Sequence, residues 1–113
     1  MTRVIPRVSV SVAAACLIAA QPAPAGAQEP GEALYAKRCA MCHGKGGDAD
    51  GPAVIELNIH PAKLSDPQLA TEPDGSLFWK ITTGKKPMPA FGKRLSETDR
   101  WHLVNYIRTL PKR

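Results

Sequence analysis

Aromatic side chains are scarce, with two Trp, two Tyr and two Phe among 113 residues. A chain so poor in rings has little apolar bulk with which to fill a core. Small domains in that position lean on a metal, a disulfide or a bound group. Long apolar runs are also missing. Spanning a bilayer takes about 20 apolar residues, and the one hydrophobic stretch, Val8 to Ala20, is shorter. The chain has no paired carboxylates, no nucleophile–base arrangement and no phosphate loop, which argues against an enzyme. Nor does it interleave aromatic with basic residues, so the formal net charge of +5 is no argument for nucleic-acid binding. Convincing strands, repeats and low-complexity tracts are absent too.

What is present begins with an export signal. Arg3 and Arg7 form a positive start, Val8 to Ala20 an apolar segment, and Ala25-Gly26-Ala27 a small-residue cleavage site. A retained anchor would need a longer run. A lipoprotein signal built on Cys16 would need a Leu close in front of it and polar residues behind, and has neither. Residues 1–27 are therefore expected to be a cleaved secretory signal, leaving one domain from Gln28 to Arg113 and placing the protein in the periplasm with no stable membrane span. Without Arg3 and Arg7 the balance is 13 basic to 10 acidic residues.

In the domain, helical signals lie at the two ends. Glu32 to Arg38 follows Pro30-Gly31. Asp74 or Ser76 can cap a helix over roughly Gly75 to Thr83, with Gly84 as its stop. Ser96-Glu97-Thr98-Asp99 resembles a capping box. Beyond it, Trp101, Leu103, Val104, Tyr106, Ile107 and Leu110 form one apolar face, ended by Pro111. Between the ends, Val54 to Leu57 is long enough for one turn. Pro61, Pro67 and Pro73 make Asn58 to Pro73 irregular. The fold class is all-α, with long loops.

Cys39-Ala40-Met41-Cys42-His43 has the C-x-x-C-H spacing of c-type haem attachment. Two thiols three residues apart on a helical turn reach the two vinyl groups of a haem, and the next residue brings an imidazole under the iron. A thioredoxin-like pair would need a βαβ setting. Zinc would need four ligands, and Cys39, Cys42 and His43 crowd one another in a tetrahedral site. A structural disulfide leaves His43 unexplained.

A sixth iron ligand could come from Met41, Met88, His60 or His102. Met41 lies between the cysteines on the wrong side, and His102 sits beside the apolar face of the last helix. Met88 is favoured, because Pro87 and Pro89 stiffen its loop and a thioether favours Fe(II). The bland alternative is a gap-filling core methionine. His60, beside Pro61, stays open.

The chain resembles the class I c-type cytochromes of the bacterial periplasmic monohaem group over nearly all of Pro30 to Leu110. The resemblance rests on Gly31-x-x-x-Tyr35, Cys39-Ala40-Met41-Cys42-His43-Gly44, Gly51-Pro52, Leu77-Phe78-x-x-Ile81-x-x-Gly84, Met88-Pro89-Ala90-Phe91 and Leu103-Val104-x-Tyr106-Ile107. It implies the cytochrome c fold, with three main helices and long loops wrapped around one covalently bound haem c. It implies that Gly31 lets the terminal helices cross closely and that Tyr35 packs near Leu103 and Tyr106. It further implies His43 and Met88 as axial ligands and a Pro52 carbonyl accepting a hydrogen bond from His43. Trp79 is a candidate donor to a propionate, with core or surface packing as the equal alternative. The expected function is periplasmic one-electron transfer to and from redox partner proteins. The alternatives are a small haem subunit of a larger periplasmic oxidoreductase complex and a ligand-binding haem protein.

Overall fold

Proline positions and capping side chains decide where this chain is helical. The computed structural model describes residues 1–19 and 29–113. Residues 1–19 are exposed and carry no regular element. The expected cleavage point after Ala27 lies outside the described residues. No helix among the described residues is long and apolar enough to cross a membrane.

Helix α1 spans Glu29–Arg38. It begins ahead of the expected Glu32 because Pro30 is tolerated in a first turn, where its missing N–H has no intrahelical partner to lose. After Cys39 comes α2, Ala40–His43, and after a loop the single turn α3, Ala53–Glu56. The stretch from Asn58 to Pro73, expected to be irregular with no long regular element, holds one short 3₁₀ helix, Pro67–Thr71. Asp66 caps it by accepting from the Gln68 N–H at 2.9 Å, and Pro67 supplies a preset φ at its first position. Helix α4 spans Asp74–Thr83 and α5 spans Glu97–Thr109. Neither expected cap of α4 serves as one. Pro73 occupies the cap position, and the Ser76 hydroxyl donates back to Glu72 at 2.7 Å. The Ser96 cap does form, its hydroxyl accepting from the Asp99 N–H at 3.0 Å. Among the described residues there is no strand, only an isolated antiparallel bridge between Lys85 and Met88.

The apolar face of α5 is the centre of the core. Leu103 and Val104 are fully buried, with Ile107 and Leu110 beside them, against Tyr35 of α1 and Leu77 and Ile81 of α4. Leu64 and Phe91 come in from loops. Full burial of a Leu or Val side chain contributes about 1.5–3 kcal/mol, so this stripe holds the three longer helices together. Helix α1 crosses α5 so closely that a Cβ on Gly31 would lie 2.4 Å from the His102 carbonyl oxygen. Only glycine fits there.

Candidate haem-binding site

The Cys39–His43 turn hangs from the end of α1, joined by the Cys39 N–H donating to the Tyr35 carbonyl at 2.8 Å. It closes on itself through the His43 N–H and the Cys39 carbonyl at 2.9 Å. Tyr35 braces it from inside. Its hydroxyl, buried in the core, donates to the Gly44 carbonyl at 2.6 Å, and its ring meets Tyr106 at a centroid distance of 5.2 Å. The following loop packs back on the turn at Gly51, where a Cβ would lie 2.2 Å from the Met41 carbonyl oxygen.

Cys39 and Cys42 are half-buried and not joined in a disulfide. Burial, helped by neighbouring Cys42, pushes the Cys39 thiol up to about 11, so it stays protonated at neutral pH. His43 is held through its ring. The Nδ1 atom lies 2.8 Å from the Ala62 carbonyl oxygen. A carbonyl can only accept, so Nδ1 carries the proton and Nε2 is the nitrogen left to bind a metal. Burial lowers the pKa of this ring, against the opposing pull of the Ala62 carbonyl. A neutral imidazole is the ligating form.

The acceptor is thus Ala62 and not Pro52. Pro52 stands at the N-cap of α3, where a residue's carbonyl already accepts the first intrahelical bond. Sequence reasoning had no means of finding Ala62, because the group it contributes is a main-chain carbonyl that every residue type possesses.

Met88 closes a four-residue turn, with its N–H donating to the Lys85 carbonyl at 2.8 Å and its carbonyl accepting from the Lys85 N–H at 3.2 Å. Its side chain is partly buried against the core cluster, which Cys39 and Ala40 also border. Met41 is 60% exposed, and His60 is exposed. His102 is turned inward on α5, with a buried Nδ1 that has no partner among the described residues. Trp79 is 65% exposed.

Two unpaired thiols, a ring fixed by one nitrogen and a thioether at the edge of the same core form a donor set suited to covalent haem. The family model described as "Cytochrome C oxidase, cbb3-type, subunit III" matches residues 26–107. The chain belongs to the class I c-type cytochromes. Cytochrome c6 of Alaria esculenta is 32% identical over 79 residues, 70% of this chain and 86% of that one. Among solved structures, the KustC0563 c-type cytochrome superposes with a TM-score of 0.63 at 25% identity, covering 73% of this chain and 98% of that one. A chain of the Kuenenia stuttgartiensis reducing HAO-like protein complex Kustc0457/Kustc0458 gives 0.66 at 29% identity, covering 75% of this cytochrome and 44% of that chain. The all-α cytochrome c fold and covalently bound haem c follow from that membership.

Proposed function

We propose that this cytochrome is a periplasmic one-electron carrier with thioethers at Cys39 and Cys42 and axial ligands at His43 and Met88. Bound haem supplies the Fe(III)/Fe(II) couple. Cys39 and Cys42 would hold the haem through thioethers at its two vinyl groups. Ala62 keeps the His43 ring in one tautomer and one orientation. The turn from Lys85 to Met88 holds a soft, neutral sulfur that favours the reduced state. Residues 1–27 are the leader, removed on export, and Gln28 to Arg113 is the working domain. The single observation that carries the reading is the His43 ring, pinned at Nδ1 on the turn that bears both unpaired thiols.

The test is optical. The ferric protein, recovered from the periplasm with its chain starting at Gln28, should show the red-region sulfur-to-iron charge-transfer band. Met88→Ala should lose that band and gain ready carbon monoxide binding when reduced. A wild-type protein that lacks the band and binds carbon monoxide would instead be a ligand-binding haem protein.

One observation favours a second reading, a small haem subunit of a larger periplasmic oxidoreductase complex. The cytochrome matches under half of a longer chain from a named protein complex. Elution of the native protein as a lone monomer would remove that reading.

A further inference from the structure

We infer that Ser65 is a positioning residue for His43, acting through a closed ring of hydrogen bonds that sets how strongly the Ala62 carbonyl holds the imidazole. The inference rests on His43 being the proximal ligand.

The ring can be followed atom by atom. From the His43 ring, Nδ1 donates to the Ala62 carbonyl. Three residues on, Ser65 is fully buried. Its hydroxyl donates to Asp48 at 2.5 Å and its N–H donates to the Gly47 carbonyl at 3.0 Å. The next residue after Asp48 is Ala49, whose N–H donates to the His43 carbonyl at 2.9 Å. The path thus leaves His43 by its ring and returns to its main chain. Two sequence-distant loops, residues 44–51 and 62–66, are clasped together only a few atoms from the ligand.

Three further features tighten the clasp. Ala49 sits at φ +60°, in the left-handed region that a residue with a Cβ occupies only where its surroundings over-determine it. Arg113 donates its N–H to the Ser65 carbonyl at 2.8 Å and brings its guanidinium to 3.8 Å from Asp48. Lys112 donates to the Leu64 carbonyl at 2.9 Å. Ser65 is the buried polar side chain of a clasp whose other side-chain members are the Asp48 carboxylate, the Lys112 amine and the Arg113 guanidinium.

The chemical consequence has a sign. A carbonyl accepting from the free nitrogen of a ligating histidine raises the basicity of the other nitrogen. A more basic ligand stabilises Fe(III). Ser65→Ala frees the 62–66 loop from Asp48, lengthens the Nδ1–H to carbonyl bond and makes His43 the weaker donor. The reduced form gains.

The experiment compares reduction potentials of the haem-loaded wild type, Ser65→Ala and Ser96→Ala. Ser96→Ala makes the same chemical change at the cap of α5, where its hydroxyl accepts from the Asp99 N–H and takes no part in the ring of bonds, and controls for lost stability. Ser65→Ala is expected to shift the Fe(II)/Fe(III) partition towards Fe(II) by about threefold, roughly 30 mV for one electron, while Ser96→Ala stays at the wild-type potential. An unshifted Ser65→Ala, or an equal shift in Ser96→Ala, overturns the inference.

His43→Ala, run alongside, keeps the ligand reading separate. If it retains the wild-type low-spin spectrum, His43 is not the ligand and both readings fall. If it loses that spectrum while Ser65→Ala is unshifted, only the strut falls. Should Ser65→Ala fail to fold, hydrogen exchange of the wild type decides. The Ser65 and Ala49 amides and the His43 Nδ1 proton should exchange as one unit, and independent rates would overturn the strut.

Discussion

Arg108 shows what one side chain can do for this fold. It lies on α5, and its Nε donates to Asp74 at 2.7 Å. The same guanidinium also donates to the carbonyls of Leu69 and Glu72. One planar fork therefore ties the last helix to the 3₁₀ helix and to the start of α4. Lysine keeps the charge but cannot reach three acceptors in fixed directions. Arg108→Lys should cost about 2 kcal/mol, the order of one or two charge-assisted hydrogen bonds to partly buried carbonyls. Chemical denaturation at neutral pH checks this, and an unchanged midpoint would mean the fork is ornamental. Nothing in the sequence marks Arg108, which reads as an ordinary solvated residue on the polar side of α5. Its acceptors lie 34 to 39 residues away, and two of them are main chain. The same blindness applies at Ala62. The legible part of the proposed site is the part whose chemistry resides in side chains, the Cys39-x-x-Cys42-His43 motif and the proposed ligand Met88.

At the scale of elements, legibility followed the strength of local signals. Helix α5 was readable because Ser96 caps it and its apolar period is long. The sequence signals place helix α4 to within a residue or so, but neither Asp74 nor Ser76 caps its start. Glu72, two residues before it, is what organises that end. Its Oε1 accepts from Ser76 at 2.7 Å and also from Lys80, clasping the first two turns of α4. These bonds, Lys80 first, hold the Glu72 carboxyl below the usual carboxylate range. A carboxyl whose pKa is lower in the folded than in the unfolded chain stabilises above the unfolded value and loses that contribution as pH falls through the folded one. Lys80 is well exposed, so screening keeps the effect small, about 0.5 kcal/mol. Glu72→Gln should therefore be less stable than wild type by that amount at neutral pH. The gap should close on the acid side, as followed by urea melts across pH. A gap that persists where both proteins carry a neutral side chain would show that the charge at Glu72 is not what matters.

For the whole molecule, the scarcity of aromatic residues has its counterpart in the core. Among the described residues its buried rings are Tyr35 and Phe91, with Phe78 and Tyr106 partly buried against them, and the rest is a modest cluster of aliphatic residues around α5. Several large apolar side chains remain at the surface of the protein part, among them Met41, Ile55 and Leu57. A domain this small, with so little apolar bulk inside, has a thin margin over the entropy of its own chain. Residues 44–51 are bonded back to the His43 turn and Ala62 to its ring, so the group attached there is expected to complete the core as well as to carry the electron. Cys39→Ala/Cys42→Ala, which cannot form either thioether, should then be defective in folding and not merely in colour. Far-UV circular dichroism should show a weaker helical signal than the haem-loaded protein and no cooperative thermal transition. Retention of the full signal with a sharp transition would mean that α1, α4 and α5 pack well enough alone, and that haem is only a passenger in the fold.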